Sequence, residues 1–346
     1  MRAEALAANL LGIASALVLG ACSVNIGSET DAAPATTSAA PALSGCMPLR
    51  DVATAVTGRV SELTLPDQSS LVIAASATLD GTSNSAAFSG ADTTCLAGST
   101  PLASRPIIDP SGLGANINPR PLASVSVGSA VFLYFSADHS DGLASDGFGI
   151  ATYDAAGQRF VALPLLWTSD RPSYGSAAAL VDDDVYVFGG LSARYLSADV
   201  YLARVPSAQI VNQSAYEYWQ GAGVFGANPD GAMPLVEGGT EPSVAFDSTR
   251  ARWLMLYATP LASDVTVRSG LGVTGPWSAP QTLGHCVLPA SDSSSFCGAL
   301  ALVPELAAAG DLAFTQGVAS FARPANATDA DFWTRLVRAP WPNELP

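Results

Sequence analysis

The chain has no lysine: its 15 basic residues are all arginine, set against 30 acidic ones. The formal net charge is −15 and no basic run occurs, so the electrostatic footprint of a nucleic-acid binder is missing. A polyanion is repelled by such a surface, and a neutral or cationic partner suits it. Charged residues make up only 13% of the chain and apolar ones 49%. The mean hydropathy of +0.29 overstates the core, because much of it is alanine, which buries little area. Helical periodicity is almost absent beyond the first twenty or so residues, which excludes an all-helical domain. Histidine occurs twice and no Cys-x-x-Cys spacing exists, so neither a thiolate zinc site nor any other metal or cofactor is expected.

What is present begins with an address. "NLLGIASALVLGAC" is an apolar run too short for a comfortable membrane span, and it reads as an export signal. Its end, Leu19-Gly20-Ala21-Cys22, resembles the lipobox of bacterial lipoproteins, a family in which the signal is cut before the cysteine and the cysteine is lipidated. The competing reading is an ordinary signal peptide beside an incidental cysteine. In the proteobacterial version of that family an aspartate after the cysteine favours the inner membrane, so Ser23 implies the outer one. Behind it, "SVNIGSETDAAPATTSAAPALSG" has little apolar bulk and no period, the composition of a disordered tether with a reach of roughly 25 Å. The expected organisation is a signal peptide over 1–21, a tether over 22–45 and a folded body over 46–346. Four cysteines fall in the body: Cys46, Cys95, Cys286 and Cys297. Export brings oxidising conditions, and of the three possible connectivities local pairing, Cys46 with Cys95 and Cys286 with Cys297, is the simplest.

The body repeats one unit. An apolar segment, a short polar turn and a second apolar segment recur as "VSELTLPDQSSLVIAAS", "ASVSVGSAVFLYFSA", "SAAALVDDDVYVFGG", "PSVAFDSTRARWLMLYA" and "ALALVPELAAAGDLAFTQG". Third strands follow the last four at "FGIATYD", "DVYLARV", "DVTVRSG" and "GVASFAR". The spacing is roughly sixty residues, a length that signals repeated supersecondary units. Short Val-, Phe- and Tyr-rich segments bounded by Gly, Pro, Asp and Ser are strands. Five such units predict an all-β, five-bladed β-propeller, in which radial repetition protects the sheet edges. An irregular β-sandwich is the alternative.

"EGGTEPSVAFDSTRARWLMLYA" with "VTVRSGLGVTGPWS" resembles the fourth blade of five-bladed propeller glycosidases, and "YEYWQGAGVF" resembles the aromatic segment that introduces it. The similarity is to a bacterial group, long of unknown function, that includes endo-acting arabinan hydrolases, and it covers about residues 120 to 320. It implies a site where acids from different inner strands converge at one mouth of the channel. Such hydrolases use one carboxylic acid and one carboxylate. By position Glu241 matches the family's inner-strand glutamate; a general acid there needs a partly apolar surround. The family's first-blade aspartate has no counterpart, since "LVIAASATLDG" carries no acid before Asp80. Asp51 and Asp170 are the candidates for its place.

Arg120 in "NPRPL" and Tyr174 in "RPSYGS" stand where inner strands begin, and His139 follows a second-unit strand, so all three are candidates to hold substrate. Tyr218 and Trp219 offer rings for sugar stacking. "SADHSDGLASDGFG" gathers Asp138, His139, Asp141 and Asp146, but its spacing fits no calcium loop and reads as a polar connection. The expected function is a lipid-anchored envelope propeller that hydrolyses or binds polysaccharide, furanose-rich in the resemblance. The alternative is a catalytically degenerate propeller serving as a glycan-binding or protein-interaction module. Membrane contact is expected through the anchor alone, and there chemistry sets a first test. Cys22→Ser should move the protein from membrane to soluble fractions on cell fractionation; a wild type that is already soluble after export contradicts the anchor.

Overall fold

The computed structural model describes residues 56–345, apart from 66–69, 80–81, 90–99, 102–106, 115, 140–143, 194–196, 260–262, 287, 289–291, 305–306, 308–309, 321–333 and 344. The signal peptide, Cys22, the tether, Cys46, Asp51 and Cys95 therefore lie outside the described residues. All the described residues belong to one unit, Ala39–Pro346.

The strands form five sheets. The first holds β1 (Val56–Thr64), β2 (Ser70–Leu79), β3 (Thr82–Ser89) and β4 (Thr100–Pro101). In the second, β5 (Ile108–Asp109), β9 (Arg159–Ala162), β8 (Ser145–Asp154), β7 (Ala130–His139) and β6 (Ile117–Val127) lie side by side, with β10 (Trp167–Thr168) added to β8. The third runs β11 (Ala177–Val181), β12 (Asp184–Ala193), β13 (Ser197–Pro206), β14 (Glu217–Trp219) and β15 (Phe225–Gly226), with β16 (Val236–Glu237) on β13. The fourth is β17 (Thr240–Asp247), β18 (Arg252–Ala258), β19 (Asp264–Gly270) and β20 (Gln281–His285). The fifth is β21 (Ser295–Leu302), β22 (Asp311–Ser320) and β23 (Arg335–Pro340). Each predicted hairpin forms. The predicted third strand "GVASFAR" does not: residues 317–320 continue β22, and β23 takes the third place. Gly317 reads as a boundary in sequence, but it lies opposite Gly298 inside the ladder.

Why the sheets stack is visible along the second strands. On β7, Val131, Leu133, Phe135 and Ala137 enter a cluster with Leu63, Ile73 and Phe160, while Tyr134 enters another with Trp167, Tyr174 and Val187. On β12, Val185 and Val187 face that second cluster and Phe188 faces a third. On β18, Met255 and Tyr257 join the third cluster, and Leu254 and Leu256 a fourth shared with the fifth sheet. A strand exposes alternate side chains on opposite faces, so apolar residues at every position require cover on both. Fully burying one such leucine or phenylalanine is worth about 1.5–3 kcal/mol.

The first strands then meet each other. β1 neighbours β6, β6 neighbours β11, β11 neighbours β17, β17 neighbours β21, and β21 neighbours β1. They surround a common axis, a propeller arrangement. Antiparallel order brings the starts of first and third strands, and the ends of second strands, to one mouth of that axis. Close approach near it needs glycine: Gly175 has φ +104°, and a Cβ there would stand 2.5 Å from Cβ of Tyr134. Cys286 and Cys297 are disulfide-bonded between the fourth and fifth sheets, with Cα atoms 5.7 Å apart. Closing a loop of this length contributes about 2–3 kcal/mol by constraining the unfolded chain.

Burial pushes the hydroxyls of Tyr134, Tyr174 and Tyr216 well above the ordinary phenol range. The folded protein therefore keeps these protons where the unfolded chain, near pH 10, loses them. Stability contributed in this way is present below about pH 10 and falls as pH rises through it, by up to ~1.4 kcal/mol per pH unit for each tyrosine. Urea unfolding followed from about pH 8 to 11 should show that decline, and a flat profile contradicts it.

Candidate functional site

The mouth is built around Arg120, on β6 in the second sheet. Pro119 and Pro121 flank it. A following proline restricts Arg120 to extended backbone, so the direction of its side chain is set before any partner arrives. The guanidinium Nε donates to Oδ2 of Asp138 at 2.9 Å, and Nη2 donates to Oε1 of Glu241 at 3.1 Å. Asp138 stands one residue before the end of β7, on the same sheet as Arg120. Glu241 comes from the fourth sheet, two sheets further round the ring. With the third sheet between them, this contact crosses the axis.

Both carboxylates are held from behind. Ser136, which is buried, donates its hydroxyl to Oδ1 of Asp138. Ser145, at the start of β8, sits with its Oγ 3.1 Å from that of Ser136. Glu241 is fixed by the backbone instead. The register of β17 on β18 slips between Thr240 and Ser243, a bulge that leaves two residues opposite one. Glu241 occupies it with φ 41°, a left-handed conformation that favours glycine and strains glutamate. Similar register slips interrupt β1, β6 and β21.

The Arg120, Asp138 and Glu241 side chains are about a third exposed, at 33%, 26% and 38%. The centre therefore meets solvent. Glu241, and after it Asp138, raise the proton affinity of Arg120, against the opposing effect of burial. One cation between two carboxylates leaves one net negative charge. Charge-assisted hydrogen bonds to sugar hydroxyls, and proton transfer through a carboxylate, are within the reach of such a group. The surround of Glu241 differs from the expected apolar one: a guanidinium faces it.

The other candidates separate from this centre. Asp170 is an exposed loop residue whose carboxyl is held below the usual carboxylate range, chiefly by the Thr168 hydroxyl. His139, one residue past Asp138, turns instead to Asp146, with Nε2 2.8 Å from Oδ1. Asp138 and His139 thus face different partners, and Asp141 lies outside the described residues. Tyr174 is only 1% exposed and packs against Trp167 and Tyr218 between the second and third sheets. Tyr218 is buried too and accepts a hydrogen bond from Trp167 Nε1 at 2.9 Å. Both rings are packed inside the protein. Trp219 is half-buried, edge-on to Phe225. Asp138 and its serines went unassigned in the sequence reading of the site. Their signal was the pairing of a strand-end aspartate with serines two residues before it and at the next strand's start.

Among curated proteins no sequence match is found. A family described as domain of unknown function (DUF4185) matches residues 131–322, more than half of the chain. Solved structures share the fold at low identity. A Bacteroides ovatus protein is 14% identical at a TM-score of 0.60, over 82% of this chain and 85% of that one. A GH43_1 enzyme from Xanthomonas citri, complexed with xylose, is 16% identical at 0.52, over 85% and 88%. An α-L-arabinofuranosidase from Lactobacillus brevis is 12% identical at 0.53, over 83% and 92%.

The Tyr174 hydroxyl is buried and has no hydrogen-bond partner among the described residues. Tyr174→Phe should therefore leave stability unchanged or raise it by up to ~1 kcal/mol. Tyr216→Phe, which loses bonds to Ile210 O and Tyr134, should cost about 1–3 kcal/mol. Denaturant melts of the two variants distinguish them; a large loss in Tyr174→Phe contradicts the packing role.

Proposed function

The chain belongs to the DUF4185 family, and on that footing we propose that it is a glycan-acting propeller whose working site is the mouth around Arg120. The single observation that carries this reading is the convergence of Glu241 and Asp138, from two sheets, on one solvent-facing guanidinium at the ring axis. The fold of the Xanthomonas citri and Lactobacillus brevis enzymes supports a carbohydrate partner. In this reading the five sheets serve as five blades, within a body over 46–346 carried on a tether, 22–45, behind a signal peptide, 1–21. Lipidation at Cys22 would hold it on the envelope, with the outer membrane favoured by Ser23.

A glycoside hydrolase divides its work between two carboxyl groups. Glu241 is one, and Asp138 is better placed than Asp170 to be the other. Asp51, outside the described residues, stays a candidate from its place in the sequence alone. The second reading, glycan binding without turnover, is favoured by one observation: Glu241 is engaged by Arg120.

Xylo- and arabino-oligosaccharides incubated with wild type and Glu241→Gln separate the two readings. For a hydrolase, reducing-end release should fall by about a hundred- to ten-thousand-fold in Glu241→Gln while the melting temperature holds. For a binding module, neither form releases product and the substitution changes affinity modestly. A wild-type hydrolase that tolerates Glu241→Gln contradicts the assignment.

A further inference from the structure

We propose that Arg120 is the positioning residue of this centre, a charge clamp that keeps Asp138 and Glu241 together as a pair of carboxylates across the ring axis. The inference deepens the reading of the mouth as a glycan site and rests on it only for the consequences for turnover. Four observations carry it. First, the arginine is directed by sequence, since Pro121 confines it to extended backbone and Pro119 precedes it. Second, its fork diverges: Nε serves Asp138 at 2.9 Å and Nη2 serves Glu241 at 3.1 Å, so neither carboxylate has the cation to itself.

Third, the Asp138 side is fixed by Ser136 and Ser145, so the aspartate does not swing to meet the arginine. Fourth, the Glu241 side is fixed by a bulge that recurs without the acid. In β21 the register slips between Gly298 and Ala301, and Ala299 there has φ 52°, close to the 41° of Glu241. The strained backbone thus occurs in two of the sheets, and the fourth uses it to aim a carboxylate where the fifth carries a methyl group. Among the described residues, Glu241 and Asp138 are the charged groups that act on Arg120.

Two carboxylates drawn to one point repel, and a cation between them cancels the repulsion. Without it, one of the pair takes up a proton at a higher pH than before. A residue that merely filled space would not change the number of bound protons. In glycan chemistry the clamp would set which protonation states the pair offers to a bound sugar.

The test is a difference potentiometric titration of the full-length folded protein. Between about pH 7 and about pH 5, Arg120→Met should bind up to about one proton per molecule more than wild type. Arg120→Lys, which keeps the charge, should return most of the way to wild type. Arg120→Met/Glu241→Gln should lose the extra proton, because one of the two carboxylates is gone. His139, the neighbour of Asp138, is replaced by asparagine in every form, and His285, paired with Asp264 on the fourth sheet, is common to all of them. Where Arg120→Met does not fold, Arg120→Gln removes the charge with a shorter polar side chain and decides the matter in the same way. Equal proton uptake by wild type and a folded, neutral Arg120 variant overturns the clamp. Turnover lacking in all forms counts against hydrolysis alone, since the proton count is read without substrate.

Discussion

Burial on both faces of the same strand is the constraint from which the rest of this structure follows. A sheet with one apolar face can rest on a core and leave the other face wet. The second strands here cannot: β7, β12 and β18 each send alternate residues into two different clusters. Each middle sheet must therefore have a sheet on either side. With the natural twist of strands, successive sheets covered in this way turn about an axis, and the row closes when β21 reaches β1.

Closure produces the site. Once the first strands surround an axis, side chains from non-adjacent sheets can touch only near its centre. Arg120 and Glu241 do so from the second and fourth sheets. The repeated bulges turn a regular ladder into one that can aim a residue inward, and the strain at Glu241 is the local cost. The site is thus inherited from the ring, while its chemistry comes from the few positions where a charged residue replaces a small one.

Much of this was legible in the sequence. Each hairpin followed from two apolar segments about a polar turn, because that pattern depends on local spacing. Glu241 stood out because its segment resembles the fourth blade of propeller glycosidases, and Arg120 because it stands where an inner strand begins. The failures are equally physical. Tyr174 and Tyr218 were candidates to hold substrate and both are buried, because a tyrosine at a strand boundary packs inward or outward according to which face of the sheet is covered. That is a long-range fact. Asp138 was hidden among Asp141, Asp146 and His139, and only the pairing of β7 with β6 singles it out. The last strand was misplaced because a glycine within a ladder looks like the end of one.

A direct interaction between Arg120 and Glu241 spans the axis. A double-mutant cycle measures it: Arg120→Met, Glu241→Gln and the double variant, each unfolded in denaturant, with Arg120 and the nearby Glu237 as the control pair. Residues in contact couple by about 0.5 kcal/mol or more, and distant ones add within about 0.3–0.5 kcal/mol. Coupling above that limit is expected for Arg120 with Glu241, and additivity for the control. Additive losses for Arg120 and Glu241 would contradict it.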